Sequence, residues 1–124
     1  MREDTADSKS LGRKGEDIAC RALKRDKYRI VDKNFRCRHG EIDIIAEDKK
    51  GVLCFVEVKA RSRDDFGFPA EAVTHHKQNR LLAAAFVYLE KNDIKSRAMR
   101  FDVVSVDLNR GECGIIKNAF EADI

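Results

Sequence analysis

Two carboxylates and one lysine have the types and the spacing for metal-assisted chemistry on a phosphate. Glu57 and Lys59 lie near the end of an apolar run at Val52–Ala60, and Asp43 precedes Glu57 by fourteen residues. Because alternate side chains of a strand share a face, Glu57 and Lys59 would emerge together. A hairpin between the two strands would bring Asp43 beside Glu57. The three side chains are therefore predicted to converge at one edge of a sheet.

The chemistry that suits this trio is hydrolysis of a phosphodiester bond with a bound Mg²⁺ or Mn²⁺ ion. Mg²⁺ is usually held by one or two carboxylates together with water and phosphate oxygens. Such an ion neutralises phosphate charge and lowers the pKa of a bound water, while Lys59 could orient that water or stabilise developing negative charge. The alternative is a surface ion pair between Glu57 and Lys59, which contributes only ~0–1 kcal/mol, with Asp43 simply exposed.

The elements that must position these side chains follow from hydrophobic periodicity. Apolar residues at helical spacing predict two helices, and alternating apolar residues predict the strands. In chain order the predicted elements are a helix at Leu11–Lys27, strands at Tyr28–Phe35, Glu41–Glu47 and Val52–Ala60, a helix at Val73–Lys91, and strands at Arg100–Leu108 and Cys113–Lys117. Ser10 and Thr74 are the predicted helix N-caps. The order α-β-β-β-α-β-β predicts an α/β fold with a mixed β-sheet flanked by helices.

Alternation also predicts which side chains share a face in the two strands that carry the trio. In the first of them, one face is predicted to carry Ile42, Ile44 and Ala46, and the other Glu41, Asp43 and Ile45. In Val52–Ala60, apolar residues occupy both faces at the start. This run is therefore predicted to be a central strand that is covered on both sides.

Length and composition predict one domain in the cytoplasm. The chain has 124 residues, of which 43% are hydrophobic. This suits a single domain at residues 11–124, preceded by a flexible N-terminus at residues 1–10. No apolar stretch approaches the ~20 residues that span a bilayer, and the N-terminal residues lack the apolar core of a secretory signal. We therefore expect no membrane partner and reduced cysteine thiols.

Charge along the chain predicts a nucleic acid as the partner. Residues 8–38 carry eleven Lys/Arg against four Asp/Glu, residues 41–58 two against five, and residues 59–100 nine against five. A polyanion held by basic flanks over an acidic cluster fits this order, with solvated surface charge as the alternative. Candidate nucleic-acid contacts lie just after the acidic segment and at the start of the second helix: Arg61, Arg63, Lys77, Gln78 and Arg80.

Motifs around the trio resemble those of a known nuclease family. The segments GEIDIIA at 40–46 and FVEVKAR at 55–61 resemble the D-x(n)-E-x-K signature of restriction-endonuclease-like nucleases. Further matching segments are GRKGEDIA at 12–19, FGFPAEAV at 66–73, KQNRL at 77–81 and RFDVV at 100–104. With these, the chain resembles the YraN-like family of small endonuclease-like proteins, which is similar in turn to archaeal Holliday-junction resolvases.

The resemblance implies a restriction-endonuclease-like core and a role for four residues. Asp43 and Glu57 would be the metal-binding carboxylates and Lys59 the catalytic lysine. Glu16 would be the helix-borne glutamate that completes the metal site. By sequence alone, Glu16 is instead a first-turn glutamate that the helix dipole favours.

Three functions are compatible with the sequence. The first is a metal-dependent nuclease that acts on DNA, with branched or structured DNA as a candidate substrate and the choice between DNA and RNA left open. The second is a nucleic-acid-binding accessory protein of the same fold that cleaves weakly or not at all. The third is a structural or protein-interaction module. If the protein cleaves paired strands, a two-fold homodimer would place one site on each strand.

Overall fold

The structure is a computed structural model that describes residues 2–61 and 74–120, with side chains described from Gly12 onward. In chain order its elements are α1 (Arg2–Arg25), β1 (Arg29–Cys37), β2 (Gly40–Glu47), β3 (Leu53–Arg61), α2 (His75–Lys91), β4 (Met99–Asp107) and β5 (Glu112–Ile116). The predicted order of elements is confirmed, and the limits of all strands agree with the prediction within two residues.

The strands form one mixed sheet in which neighbouring strands follow the chain order. The pairs β1–β2, β2–β3 and β4–β5 are antiparallel, and β3 and β4 pair in parallel. Antiparallel neighbours need only tight turns, whereas a parallel pair needs a long crossover, which contains α2. The predicted α/β fold with a mixed sheet flanked by helices is confirmed.

The two helices cover opposite faces of the sheet. Helix α1 packs on a core cluster that includes Leu23 and Val56, while α2 contributes Leu81 to a second cluster that includes Phe55. Because Phe55 and Val56 are neighbours in β3, this strand is buried on both faces. The prediction that β3 is a covered central strand is confirmed.

Helix α1 is longer at its N-terminal end than predicted. It begins at Arg2 rather than Leu11, so the predicted N-cap at Ser10 is wrong. Residues 2–10 contain neither glycine nor proline, and acidic residues near the start favour the positive end of a helix. Nothing in these residue types stops the helix at Ser10. The flexibility predicted for residues 1–10 stays a prediction.

Helix α2 starts with the capping chemistry that its sequence predicts. The side chain of Thr74 accepts a hydrogen bond from the backbone N–H of Lys77, so the predicted N-cap is confirmed. This bond satisfies one of the N–H groups that the first turn leaves without a helical partner. The helix begins at His75, and the start predicted at Val73 lies outside the described residues.

Two further predictions concern the location of the protein in the cell and the oxidation state of its cysteines. No helix among the described residues is long and apolar enough to cross a membrane. The cytoplasmic location stays a prediction. Each of the four cysteines is a free thiol: Cys20, Cys37, Cys54 and Cys113.

Strand β2 passes from one core to the other at Asp43. Ile44 packs in the cluster on the α1 side, whereas Ile42 packs in the cluster on the α2 side. The prediction that these two side chains share a face is therefore wrong. The ladder between β2 and β3 ends at the pair Ile44–Val56, so beyond that pair β3 no longer holds β2 in strict alternation. Asp43 lies where the two strands separate.

A glycine allows α1 to approach β3 closely. A Cβ atom on Gly15 would lie 2.6 Å from the Cβ atom of Ala60, which is closer than packed side chains come. Ala60 directly follows Lys59 in β3. The contact therefore fixes the height of α1 above the end of β3 that carries the predicted trio.

Replacing Gly15 with alanine should destabilise the protein, although alanine is the better helix former. We expect the free energy of unfolding to fall by about 1–3 kcal/mol, because α1 must move away from β3. Gly12→Ala in the same helix is the matched control, since a Cβ atom on Gly12 meets nothing within 4 Å. It should raise the free energy of unfolding by up to about 1 kcal/mol. Urea denaturation measures both, and shifts of the same sign would contradict the close approach.

A buried polar network joins the start of β4 to three other segments. Asp102 is fully buried. It accepts hydrogen bonds from Tyr28 Oη at 3.0 Å, from Arg100 Nε at 2.8 Å and from the backbone N–H of Asn118 at 2.9 Å. Arg100 also pairs with Asp48 at 3.0 Å. Because each buried charge has partners, the network can stabilise the fold, tying the α1–β1 turn, the β2–β3 hairpin and the C-terminal segment to the sheet.

Candidate active site

The separation of β2 from β3 brings two carboxylates face to face. Asp43 and Glu57 continue the register of the Ile44–Val56 pair, so they lie opposite each other just beyond the last paired residues. Asp43 Oδ2 accepts a hydrogen bond of 2.8 Å from the backbone N–H of Val58. A carboxylate has therefore replaced the β2 backbone as the hydrogen-bond partner of β3 at this position.

The Asp43 and Glu57 side chains are close enough to share a hydrogen bond. Both residues are half-buried. Burial, followed by the charge of Asp43 and a hydrogen bond to it, raises the pKa of Glu57 to about 8. Burial also raises the pKa of Asp43, although hydrogen bonds from Val58 and Glu57 oppose the shift. The pair therefore retains a proton near neutral pH or takes a cation in its place.

Two lysines lie on the same side of the sheet as Glu57. Lys59 follows Glu57 by two residues in β3 and so shares its face. Burial first, and then the positive charges of Lys77 and Arg61, lower the pKa of Lys59. The charge of Lys77, in the first turn of α2, also acts to lower the pKa of Asp43 and of Glu57. Lys77 therefore faces both the carboxylate pair and Lys59.

Glu16 approaches the carboxylate pair from the other helix. It is half-buried in α1, and burial followed by the charge of Asp43 raises its pKa. A hydrogen bond with Asn34 and the charge of Lys33 oppose this shift. Because α1 begins at Arg2, Glu16 lies well inside the helix. Its interpretation as a first-turn residue favoured by the helix dipole is therefore wrong.

A cleft of about 160 Å³ opens beside the pair. Its lining consists of two acidic, two basic and one apolar side chain: Glu41, Glu57, Lys77, Arg80 and Leu81. A Cβ atom on Gly40 would lie 2.5 Å from the backbone oxygen of Arg80, so the β1–β2 turn abuts α2 directly. Glu41 was not predicted as a site residue. Strict alternation could not have found it, because alternation along β2 breaks at Asp43.

The other predicted nucleic-acid contacts lie around the cleft to different extents. Arg80 lines it. Arg61 ends β3, where its charge acts on Lys59. Gln78 is half-buried in the first turn of α2, and Arg63 lies outside the described residues. Of the predicted contact residues that the structure describes, Lys77 and Arg80 are therefore the ones that lie beside the carboxylates.

The donor atoms fit a largely hydrated Mg²⁺ or Mn²⁺ ion better than one enclosed by protein ligands. Within residues 2–61 and 74–120, no group of three or more His, Cys, Asp or Glu side chains is arranged to hold a metal ion. Asp43 and Glu57 alone offer two carboxylates, and Mg²⁺ is commonly held by one or two together with waters. Burial raises the pKa of both carboxylates, although the positive charge of Lys77 opposes the shift. The role of Glu16 as a further ligand stays a prediction.

The fold and the site together define a class of protein. A five-stranded mixed sheet flanked by helices, in the order α-β-β-β-α-β-β, is consistent with a restriction-endonuclease-like core. Asp43, Glu57 and Lys59 lie at the point where the two central strands β2 and β3 separate. The chain belongs to the family described as Uncharacterised protein family UPF0102, whose sequence model matches residues 15–106. This family is YraN-like, so the resemblance noted in the motifs is confirmed.

UPF0102 proteins of several bacteria are similar to the chain over most of its length. One from Geotalea uraniireducens is 48% identical over 122 residues, covering 96% of this chain and 95% of the relative. One from Persephonella marina is 44% identical over 112 residues, covering 90% and 94%. One from Clostridium perfringens (strain SM101 / Type A) is 43% identical over 117 residues, covering 91% and 95%. The similarity therefore extends over most of the chain and is not limited to a single motif.

The stability of the protein should depend on pH through the Asp43–Glu57 pair. The pKa of Glu57 is about 8 in the folded protein, against about 4.3 in an unfolded chain. A raised folded pKa gives a stabilising contribution that is complete below the unfolded value and is lost as the pH rises through the folded value. The free energy of unfolding should therefore fall between about pH 4.3 and pH 8, by up to about 1.4 kcal/mol per pH unit.

Urea denaturation across this pH range measures the effect. Glu57→Gln removes the titrating group, so its profile should be flatter than that of the wild type. A variant with the wild-type pH profile would show that another group is responsible.

Proposed function

We propose that this protein is a metal-dependent nuclease that hydrolyses phosphodiester bonds in DNA, with Mg²⁺ or Mn²⁺ as its cofactor. The observation that carries the proposal is the separation of β2 from β3, which sets Asp43 and Glu57 against each other beside a cleft with a basic opposite wall. A half-buried carboxylate pair beside basic side chains suits a phosphate accompanied by a divalent cation. Membership of a nuclease-like family supports the proposal.

Each side chain of the site has a separate task in this reaction. Asp43 and Glu57 would hold the ion, and the hydrogen bond from the β3 backbone orients Asp43. When bound, the ion would neutralise phosphate charge and lower the pKa of a coordinated water. Lys59 would donate a hydrogen bond that orients the attacking water or stabilises negative charge on the phosphate. Lys77 and Arg80 would hold neighbouring phosphates.

Branched or otherwise structured DNA is the substrate class in this proposal. The support is the resemblance of the motifs to those of Holliday-junction resolvases. Cleavage of paired strands would be served by a two-fold homodimer that presents one site to each strand. RNA is the alternative polymer, and direct comparison of the two substrates decides between them.

A second candidate function is a protein of the same fold that binds nucleic acid and cleaves it weakly or not at all. Its support is the basic wall of the cleft, where Lys77 and Arg80 could hold phosphates without a metal ion. Such a protein would bind with an affinity that falls as salt rises, and it would release no product.

A cleavage assay tests the proposal. Purified protein is incubated with labelled linear duplex, single-stranded and four-way-junction DNA, and with RNA, in Mg²⁺, Mn²⁺ or EDTA. We expect products with either metal and none with EDTA, and we expect Asp43→Asn and Lys59→Ala to yield none. Glu112→Gln neutralises an exposed carboxylate on the edge strand β5 and should cleave like the wild type. Cleavage that persists in EDTA or in Asp43→Asn would overturn the proposal.

A further inference from the structure

The cleft beside Glu57 has walls of opposite charge. Lys77 and Arg80 lie three residues apart on α2 and form a basic wall, while Glu41 and Glu57 form an acidic one. Helical residues three apart share a face, so both cations can contact a single anion. Glu57 already belongs to the carboxylate pair. Glu41 stands outside that pair, and its presence in a site for phosphate needs a separate explanation.

The Glu41 carboxylate is held only loosely. Its Oε2 lies 3.3 Å from Nε of Arg36 on β1, and the two side chains are 58% and 76% exposed, respectively. Ion pairs this exposed contribute little, so Arg36 leaves the carboxylate free to turn toward the cleft. The negative charge of Glu41 already acts on both Asp43 and Glu57. Glu41 therefore adds to the negative potential where a phosphate must enter.

We propose that the Glu41 carboxylate competes with phosphate for the Lys77–Arg80 wall. Glu41 would thereby make nucleic-acid binding depend on a divalent cation. The inference rests on the proposed function. In the metal-free protein, the negative charges of Glu41 and of the carboxylate pair repel a phosphate. They also reduce the positive potential of Lys77 and Arg80. Once a bound cation offsets the charge of the pair, the basic wall attracts phosphate and Glu41 stays paired with Arg36.

Removing the charge of Glu41 should therefore tighten binding in the absence of metal. In EDTA we expect Glu41→Gln to bind DNA roughly three- to tenfold more tightly than the wild type, because one like-charge contact with phosphate is lost. The gain should shrink as salt rises, since the cleft is open to solvent. In Mg²⁺ the two proteins should differ by less than about twofold, because the ion offsets the acidic wall. Lys77→Ala should weaken binding under both conditions.

Fluorescence anisotropy with a short labelled single-stranded DNA measures these affinities. Glu90→Gln is the matched control, because it removes one exposed carboxylate from α2, the helix of Lys77 and Arg80, about 15–20 Å from these two residues along the axis. That separation exceeds the Debye length of about 10 Å at 0.1 M salt, so its effect on the cleft is screened. Thermal melting of each variant establishes that it is folded.

The outcomes separate this inference from the function on which it rests. If the wild type binds and cleaves but Glu41→Gln binds metal-free DNA no more tightly, the role of Glu41 is overturned and the nuclease function stands. Equal tightening in Glu41→Gln and Glu90→Gln also overturns it, because the effect would then be one of net charge. If neither the wild type nor Glu41→Gln binds or cleaves nucleic acid, the proposed function fails together with the inference.

Discussion

Glu57→Gln should abolish cleavage while making the folded protein more stable. We expect the rate of metal-dependent DNA cleavage to fall by at least about 10²-fold, because the amide cannot hold the ion with a full negative charge. At pH 7 the free energy of unfolding should rise by about 1 kcal/mol or more. Burial and the neighbouring Asp43 raise the pKa of Glu57. The carboxyl group therefore lowers the free energy of unfolding at pH 7, and glutamine removes this effect. A substitution that lowers activity but raises stability indicates that the side chain serves the reaction and not the fold.

Single-turnover cleavage and urea denaturation of the same preparation measure the two effects together. Glu112→Gln serves as the control, because it makes the same chemical change on an exposed edge strand and should alter neither quantity. If Glu57→Gln lost stability as well as activity, the side chain would be part of the structural framework and our account of the carboxylate pair would be wrong.

Asp102→Ala should cause the largest loss of stability among the substitutions considered, about 3–5 kcal/mol. The carboxylate is fully buried. Its removal leaves Tyr28 Oη, the Arg100 guanidinium and the backbone N–H of Asn118 without their shared acceptor. Burial raises the pKa of the Tyr28 hydroxyl, so in the variant this group stays protonated and has lost its acceptor.

A surface ion pair provides the contrast for this prediction. Asp26 lies 3.3 Å from Lys117, and the Lys117 and Asp26 side chains are 51% and 48% exposed. Asp26→Ala should lower the free energy of unfolding by less than about 1 kcal/mol. Asp102→Asn keeps the shape of the side chain and should lie between the two. Urea denaturation gives all three values, and an Asp102→Ala loss as small as that of Asp26→Ala would contradict the structural role of the network.

The fold was largely predictable because its elements keep a regular local pattern. Alternation in β3 placed Phe55 and Val56 in opposite cores, as the structure does. The face of Ile42 was not predictable, because Ile42 pairs with Phe35 of β1 but no longer with β3, and the end of the β2–β3 ladder is set by tertiary packing. The start of α1 was missed for a related reason: Ser10 is a good cap, but a capping residue type does not by itself stop a helix.

The candidate site was predictable where one strand or one hairpin sets the geometry. Spacing within β3 and across the hairpin was enough to propose that Asp43, Glu57 and Lys59 converge. The approach of Lys77 to this group depends on how α2 docks, which includes the close approach of the Arg80 backbone to Gly40. A contact between residues so far apart in the chain has no signature in local periodicity.

The connectivity of the sheet has a consequence for how the chain folds. Strands β1, β2 and β3 form an antiparallel unit that is continuous in sequence, whereas β4 pairs with β3 only after the α2 crossover. Hairpins close short loops and form before long-range parallel pairing. Formation of the Asp43–Glu57 pair therefore depends on the hairpin alone, whereas the basic wall that carries Lys77 depends on the later crossover.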